Sequence, residues 1–256
     1  MKRFIQENSY SLLTIIFFVF FLEILVRFGY ISAFILPTPS KIFIVWWTEK
    51  NLIFKHLFVT SGEAIGGFFL GSITAIIFAS VFSRYPVFEK AVLPLAILFQ
   101  TIPIVVISPI LIVSFGNGMS PKIVVSALIA FFPVLVNMTK GLKEVDPTLL
   151  DLFTIFNADW VQILFKLRFP SSLPLLFSAL RIASANCFIG AIIGEWISAD
   201  SGIGYWILIK MYQNKIESMY AGVISSSLAA MALFSFVALT EYFLMPWERK
   251  IQSKGS

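Results

Sequence analysis

The sequence is poor in almost everything a water-soluble domain of its length requires. Only 13% of its 256 residues are charged, against roughly a quarter in soluble globular proteins. No long polar stretch offers material for a separate soluble domain. One cysteine (Cys187) and one histidine (His56) exclude a disulfide framework and a His/Cys metal cluster. No Gly-x-x-x-x-Gly-Lys-Ser/Thr loop is present to cradle nucleotide phosphates. The scattered carboxylates and lone histidine make no catalytic constellation. The 19 Lys and Arg that give a net charge of +5 are dispersed among the gaps, so nothing points to nucleic acid. No cofactor is indicated.

Apolar residues fill the space instead. They make up 58% of the chain, with 28 Phe and 6 Trp, and the mean hydropathy is +0.89. A bilayer selects this composition, because lipid penalises polar side chains and tolerates apolar ones. A helical span needs about 20 mostly apolar residues. Six segments qualify: Leu12–Gly29, Phe58–Phe82, Ala91–Val113, Ile123–Thr139, Leu173–Glu195 and Gly222–Leu244. Their length suits helices, not the short alternating strands of a β-barrel. The expectation is an all-α integral membrane protein, one domain over 1–256, with about six transmembrane helices. Lys41–Lys55, carrying Trp46 and Trp47, reads as an interfacial helix. Lys2 and Arg3 precede an apolar run as in a signal peptide. That run is long for one and lacks a small-x-small cleavage site, so it reads as a retained first span.

Orientation follows from the positive-inside bias. With the N-terminus in the cytoplasm, 11 Lys and Arg fall inside and 6 outside, which favours both termini cytoplasmic. The longest cytoplasmic loop is then about 140–172. It carries start and stop signals of its own. Asp146-Pro147 is a capped helix start, and Asn157 suits a left-handed stop. Asp159 with Gln162 makes a capping-box pair for a second helix, and Pro170 and Pro174 bracket its exit. The outcome is a helix–turn–helix elbow, with Trp160, Ile163, Leu164 and Leu167 giving it apolar weight. Of these, Trp160, Ile163 and Leu164 would be exposed in an isolated subunit and so call for a partner.

Polar groups inside spans are costly and usually functional. Glu195 with Trp196 suits a polar gate on a translocation path, or equally an anchor at the helix end. Gln100 and Asn186 are amides suited to interhelical hydrogen bonds or to contacting solute. Glu63 and Arg181 lie at different depths and are not expected to pair. The spacings Gly62/Gly66, Gly67/Gly71 and Gly190/Gly194 permit close helix approach, by default within one subunit. Pro94, Pro103 and Pro109 should kink the third span.

Several stretches resemble a known family. Asp151-Leu152-Phe153, three residues, Asn157, nine residues and Leu167-Arg168-Phe169-Pro170 match the spacing of the Glu-Ala-Ala loop of ABC importer permeases. Asp replaces Glu, Leu-Phe replaces Ala-Ala and Asn replaces Gly. Leu36-Pro37-Thr38-Pro39-Ser40, Gln100-Thr101-Ile102-Pro103-Ile104 with Ser108-Pro109, Phe131-Phe132-Pro133, and Gly194-Glu195-Trp196 with Gly202-Ile203-Gly204-Tyr205 follow in family order. They are similar to the sulfonate, nitrate, taurine and pyrimidine branch. Glu63 and Gly194-Glu195-Trp196 look closest to permeases for thiamine-precursor pyrimidines, with riboflavin-type permeases similar too.

The resemblance implies a type I ABC importer permease fold with a cytoplasmic coupling helix. It implies a second permease copy, two ABC ATPase subunits, an extracytoplasmic solute-binding protein and surrounding lipid. The family's coupling positions fall on Asp151, Asn157, Ala158, Asp159, Trp160 and Pro170. Apart from the resemblance, Gln100, Asn186, Glu195 and Trp196 are the polar and span-end residues expected along a translocation path. A proton-coupled secondary transporter using Glu63 or Glu195 is the competing class, though no inverted repeat is visible.

Overall fold

The computed structural model describes residues 2–246, with side chains described for residue 10 and for 13–246. All regular structure among the described residues is helical: α1 (Lys2–Arg27), α2 (Pro39–Arg84), α3 (Pro86–Gln100), α4 (Ile104–Phe115), α5 (Met119–Lys143), α6 (Pro147–Ile155), α7 (Trp160–Ile163), a π-helical turn (Leu164–Arg168), α8 (Phe169–Ile197), α9 (Ile203–Tyr212) and α10 (Ile216–Leu244). Four continuous helical stretches are long and apolar enough to cross a bilayer: α2, α5, α7 through α8, and α10. The bent pair α3–α4 makes a fifth. The helix α1 covers the first expected span.

The sequence-based boundaries need three corrections. Lys41–Lys55 is not a separate interfacial helix. Thr38 caps α2, Pro39 opens it, and the helix then runs 46 residues without a break, about 70 Å at 1.5 Å per residue. No Gly or Pro interrupts it before Gly62. Its first turns are held by packing, with Ile42 and Ile53 buried against Ile203, Trp206 and Ile207 of α9. Trp46 Nε1 also donates to Ser225 Oγ of α10 at 2.9 Å. Second, the stretch between the expected spans Leu173–Glu195 and Gly222–Leu244 contains the ten-residue helix α9, too short to register as a span.

Third, the kinked span is broken outright. Helices α3 and α4 meet at 100°. The break falls at Thr101–Pro103, where Pro103 precedes α4 with extended ψ. Pro94 and Pro109 sit inside α3 and α4. The pair still traverses the bundle. At its start Lys143 Nζ, at the end of α5, donates to Glu89 of α3. Beyond its end Ser198 Oγ donates to Asn117 Oδ1 at 2.9 Å, beside the start of α5.

The centre of the protein is the trio α2, α5 and α8. Glycine makes it possible. A Cβ on Gly67 would strike Ser126 and the Ala127 backbone, and one on Gly71 would strike the Ala127 carbonyl. A Cβ on Gly190 would meet Ser126 Cα at 2.6 Å, and one on Gly194 would meet Lys122 Cγ at 3.0 Å. Both of these small-residue pairs therefore seat their helices against α5, within one subunit. Gly62 and Gly66 face only the flexible ends of Met119 and Ile123. With backbones this close, Ser126 Oγ donates to the Cys187 carbonyl at 2.7 Å. Phe82, Met138, Leu142 and Phe177 complete the core towards the elbow.

Candidate functional site

The elbow forms as its sequence signals require. Asp146 accepts from Thr148 N at 2.9 Å and Pro147 opens α6. Asn157 adopts φ 52°, the left-handed turn between the two helices. Asp159 accepts from Gln162 N at 2.7 Å, and Gln162 Oε1 accepts from Asp159 N at 3.3 Å, closing the capping box. Pro170, in the first turn of α8, has no N–H to give to Lys166. Just ahead of it the ladder widens, with Phe169 N donating to the Leu164 carbonyl five residues back. A π-turn is thereby tolerated before the proline.

The apolar weight of the elbow divides differently from expectation. Leu164 and Leu167 are buried in the core, and Trp160 packs against it with Arg84 stacked over its ring at 5.7 Å. These side chains fasten the elbow to its own bundle, so the expectation that Trp160 and Leu164 stand exposed is corrected. Helical periodicity turns them inward once α7 runs on into α8. The open apolar surface lies instead on α6 and the turn, where Ile155 is 79% and Phe156 75% exposed, next to Leu152 and Val161. Asp151 shares this exposed side, and Ala158 is half-buried in the turn.

A second feature is a cavity of about 1050 Å³ beside the α3–α4 break. It is lined by Phe99, Phe131 and Phe132, and by both Gln100 and Asn186. Two of the expected path residues therefore face one space. Neither amide has a hydrogen-bond partner among the described residues, and no lining residue is charged.

Glu195 and Trp196 part company. Trp196 is exposed and borders a smaller pocket of about 330 Å³ at the end opposite the elbow, with Asn117, Ser198 and Tyr205. Glu195 also reaches that pocket but is only 1% exposed. Its carboxylate accepts from Thr60 Oγ1 at 2.6 Å and from Gly204 N at the start of α9. Thr60 Oγ1 in turn accepts from Ile203 N at 2.7 Å. A Cβ at Gly202 or Gly204 would clash with this carboxylate. Next to it lies Glu63, 0% exposed, with neither oxygen hydrogen-bonded. Its compensation is the Lys122 ammonium, 3.8 Å away and 3% exposed.

Sequence reasoning missed Lys122, having placed it in a loop. Its position right after Pro121, at the start of α5, was the available signal. As expected, Glu63 and Arg181 do not meet: Arg181 pairs with Glu241 of α10 at 3.3 Å.

A bundle of membrane-length helices with a broken span packed on its core, an uncharged open cavity beside the break and an elbow projecting from one end is a membrane permease. The chain belongs to the family of binding-protein-dependent transport system inner membrane components, whose profile matches residues 67–247. It is a multi-pass inner-membrane transport component and not a catalytic enzyme. It is 32% identical over 225 residues to a probable ABC transporter permease of Haemophilus influenzae, covering 88% of this chain and 89% of that one. It is also 32% identical over 222 residues to a formylaminopyrimidine transport permease of Halalkalibacterium halodurans (86% and 88% covered). A riboflavin transport system permease of Chloroflexus aurantiacus is 29% identical over 222 residues (86% and 82% covered).

Proposed function

We propose that the chain is the permease of an ATP-driven importer and that its elbow is the contact through which a separate ATPase drives it. The observation that carries this reading is the placement of Ile155 and Phe156. Two large apolar side chains, each at least three-quarters exposed, stand at the apex of a doubly capped elbow. An isolated subunit gains nothing from that arrangement, and a groove on a partner would cover it. The elbow end is cytoplasmic, as the charge bias indicates, and both termini lie on that side. Two copies of the chain assemble with two ATPase subunits, and an extracytoplasmic binding protein delivers solute to the opposite face.

The solute we propose is a small, uncharged, planar heterocycle of the thiamine-precursor pyrimidine kind. The cavity supports it with two unengaged amides to read ring nitrogens and exocyclic groups, and Phe rings to stack on the faces. A sulfonate or nitrate would call for a cation that the lining lacks. Riboflavin is the alternative, with the same chemistry in a larger ring system. The test is uptake of labelled formylaminopyrimidine by proteoliposomes holding the permease, its ATPase and its binding protein. Gln100→Ala should raise KM for uptake. Equal uptake of a sulfonate, or an unchanged KM, would remove the assignment.

A further inference from the structure

The end of the bundle opposite the elbow contains two junctions of opposite construction. One is sealed. Thr60 and Glu63 of α2, Lys122 of α5, Glu195 of α8 and the first amides of α9 meet there, with the three charged side chains no more than 3% exposed. Every helix entering this junction contributes a polar group that would be stranded without the others. Separating α2 from α5 would strand the Glu63 carboxylate and the Lys122 ammonium, and separating α8 from α2 and α9 would strand the Glu195 carboxylate. Close packing reinforces it, since Gly194, Gly202 and Gly204 leave no room for a methyl group beside these side chains.

The other junction is thin. The α4–α5 loop meets the α8–α9 loop through the exposed bond from Ser198 Oγ to Asn117 Oδ1. The 330 Å³ pocket opens around it. Gly116 turns that loop with φ 80°, and nothing lies within 4 Å of where a Cβ would stand on Gly116 or Gly118. This loop is continuous with α4, which borders the large cavity together with α3.

We propose that Glu63, Lys122 and Glu195 form a buried lock that makes α2, α5, α8 and α9 move as one body. The far end of the permease then opens at the Asn117–Ser198 seam, with α4 as the moving strut. Glu195 in this scheme is a positioning residue: it fixes α9 and the α8–α9 loop so that the seam closes against a rigid edge. Nothing in the lock touches solute.

The test is spin-label distance measurement on the permease assembled with its ATPase, in a Cys187→Ser background, nucleotide-free and trapped with ATP and vanadate. Gly118→Cys with Asp200→Cys reports across the seam and leaves its hydrogen bond intact. Phe58→Cys with Tyr212→Cys reports across the lock, from exposed sites on α2 and α9. The expected result is a seam distance that shifts by several ångströms on trapping and a lock distance that does not move. Adding Thr60→Val with Glu195→Leu, which removes the hydrogen bonds joining α2, α8 and α9, should broaden the 58–212 distribution. The proposal is overturned by a lock distance that shifts as much as the seam, by a fixed seam, or by a lock equally rigid without Thr60 and Glu195.

Discussion

The two ends of the bundle are built on opposite rules. At the end holding Glu195, charged side chains are buried inside the chain, and apolar side chains such as Ile203 and Trp206 are tucked between helices. At the elbow end, the loops carry charge on the surface, and large apolar side chains stand in the open at Ile155 and Phe156. The first end ties four helices together through buried polar groups. The second is incomplete until something covers it. A single subunit can therefore hold its shape at one end while leaving the other free for a partner that supplies the work.

That contrast can be broken by substitution, and the largest effect belongs to the sealed end. Lys122→Met leaves Glu63 buried without its counter-charge and should cost about 3–5 kcal/mol, read as lost thermal stability in detergent. Glu63→Leu combined with Lys122→Leu should recover most of it, because an apolar pair needs no compensation. Gly190→Val comes next. It drives a side chain into the Ser126 backbone and should cost about 1–3 kcal/mol by overpacking. At the elbow the effects are smaller and local. Asn157→Val places a β-branched residue at φ 52° and should strain the turn by about 1–2 kcal/mol, whereas Asn157→Gly should be tolerated. Asp159→Ala removes the cap on Gln162 N and should cost about 1 kcal/mol, seen as faster hydrogen exchange at that amide. If the elbow substitutions lowered global stability as much as Lys122→Met, the two ends would not be independent.

What could be read from the sequence follows the same division. Everything local was legible in the elbow: Asp146-Pro147, Asn157 and the Asp159–Gln162 pair specify caps and a turn through interactions three residues long or shorter. The glycine spacings likewise announced the tight seam around α5. What was not legible depends on which face of a helix finds a neighbour. Trp160 and Leu164 looked like partner surface because the continuity of α7 into α8, which turns them inward, rests on a π-turn that no composition rule marks. Lys122 looked like a loop charge because its carboxylate partner lies on another helix, about 60 residues away in sequence. Gln100 and Asn186 were visible as intramembrane amides. Only the 100° break between α3 and α4 brings them to a shared cavity.

The central claim is that the elbow's exposed apolar apex is an ATPase contact. It is tested by purifying the permease with its ATPase after changing Ile155→Ser and Phe156→Ser together. The account predicts a permease that inserts and melts as the parent does, yet retains at least ten-fold less ATPase through the column, about 1.4 kcal/mol or more of lost binding. A variant that keeps its full complement of ATPase, with hydrolysis still stimulated by the solute-loaded binding protein, would contradict it.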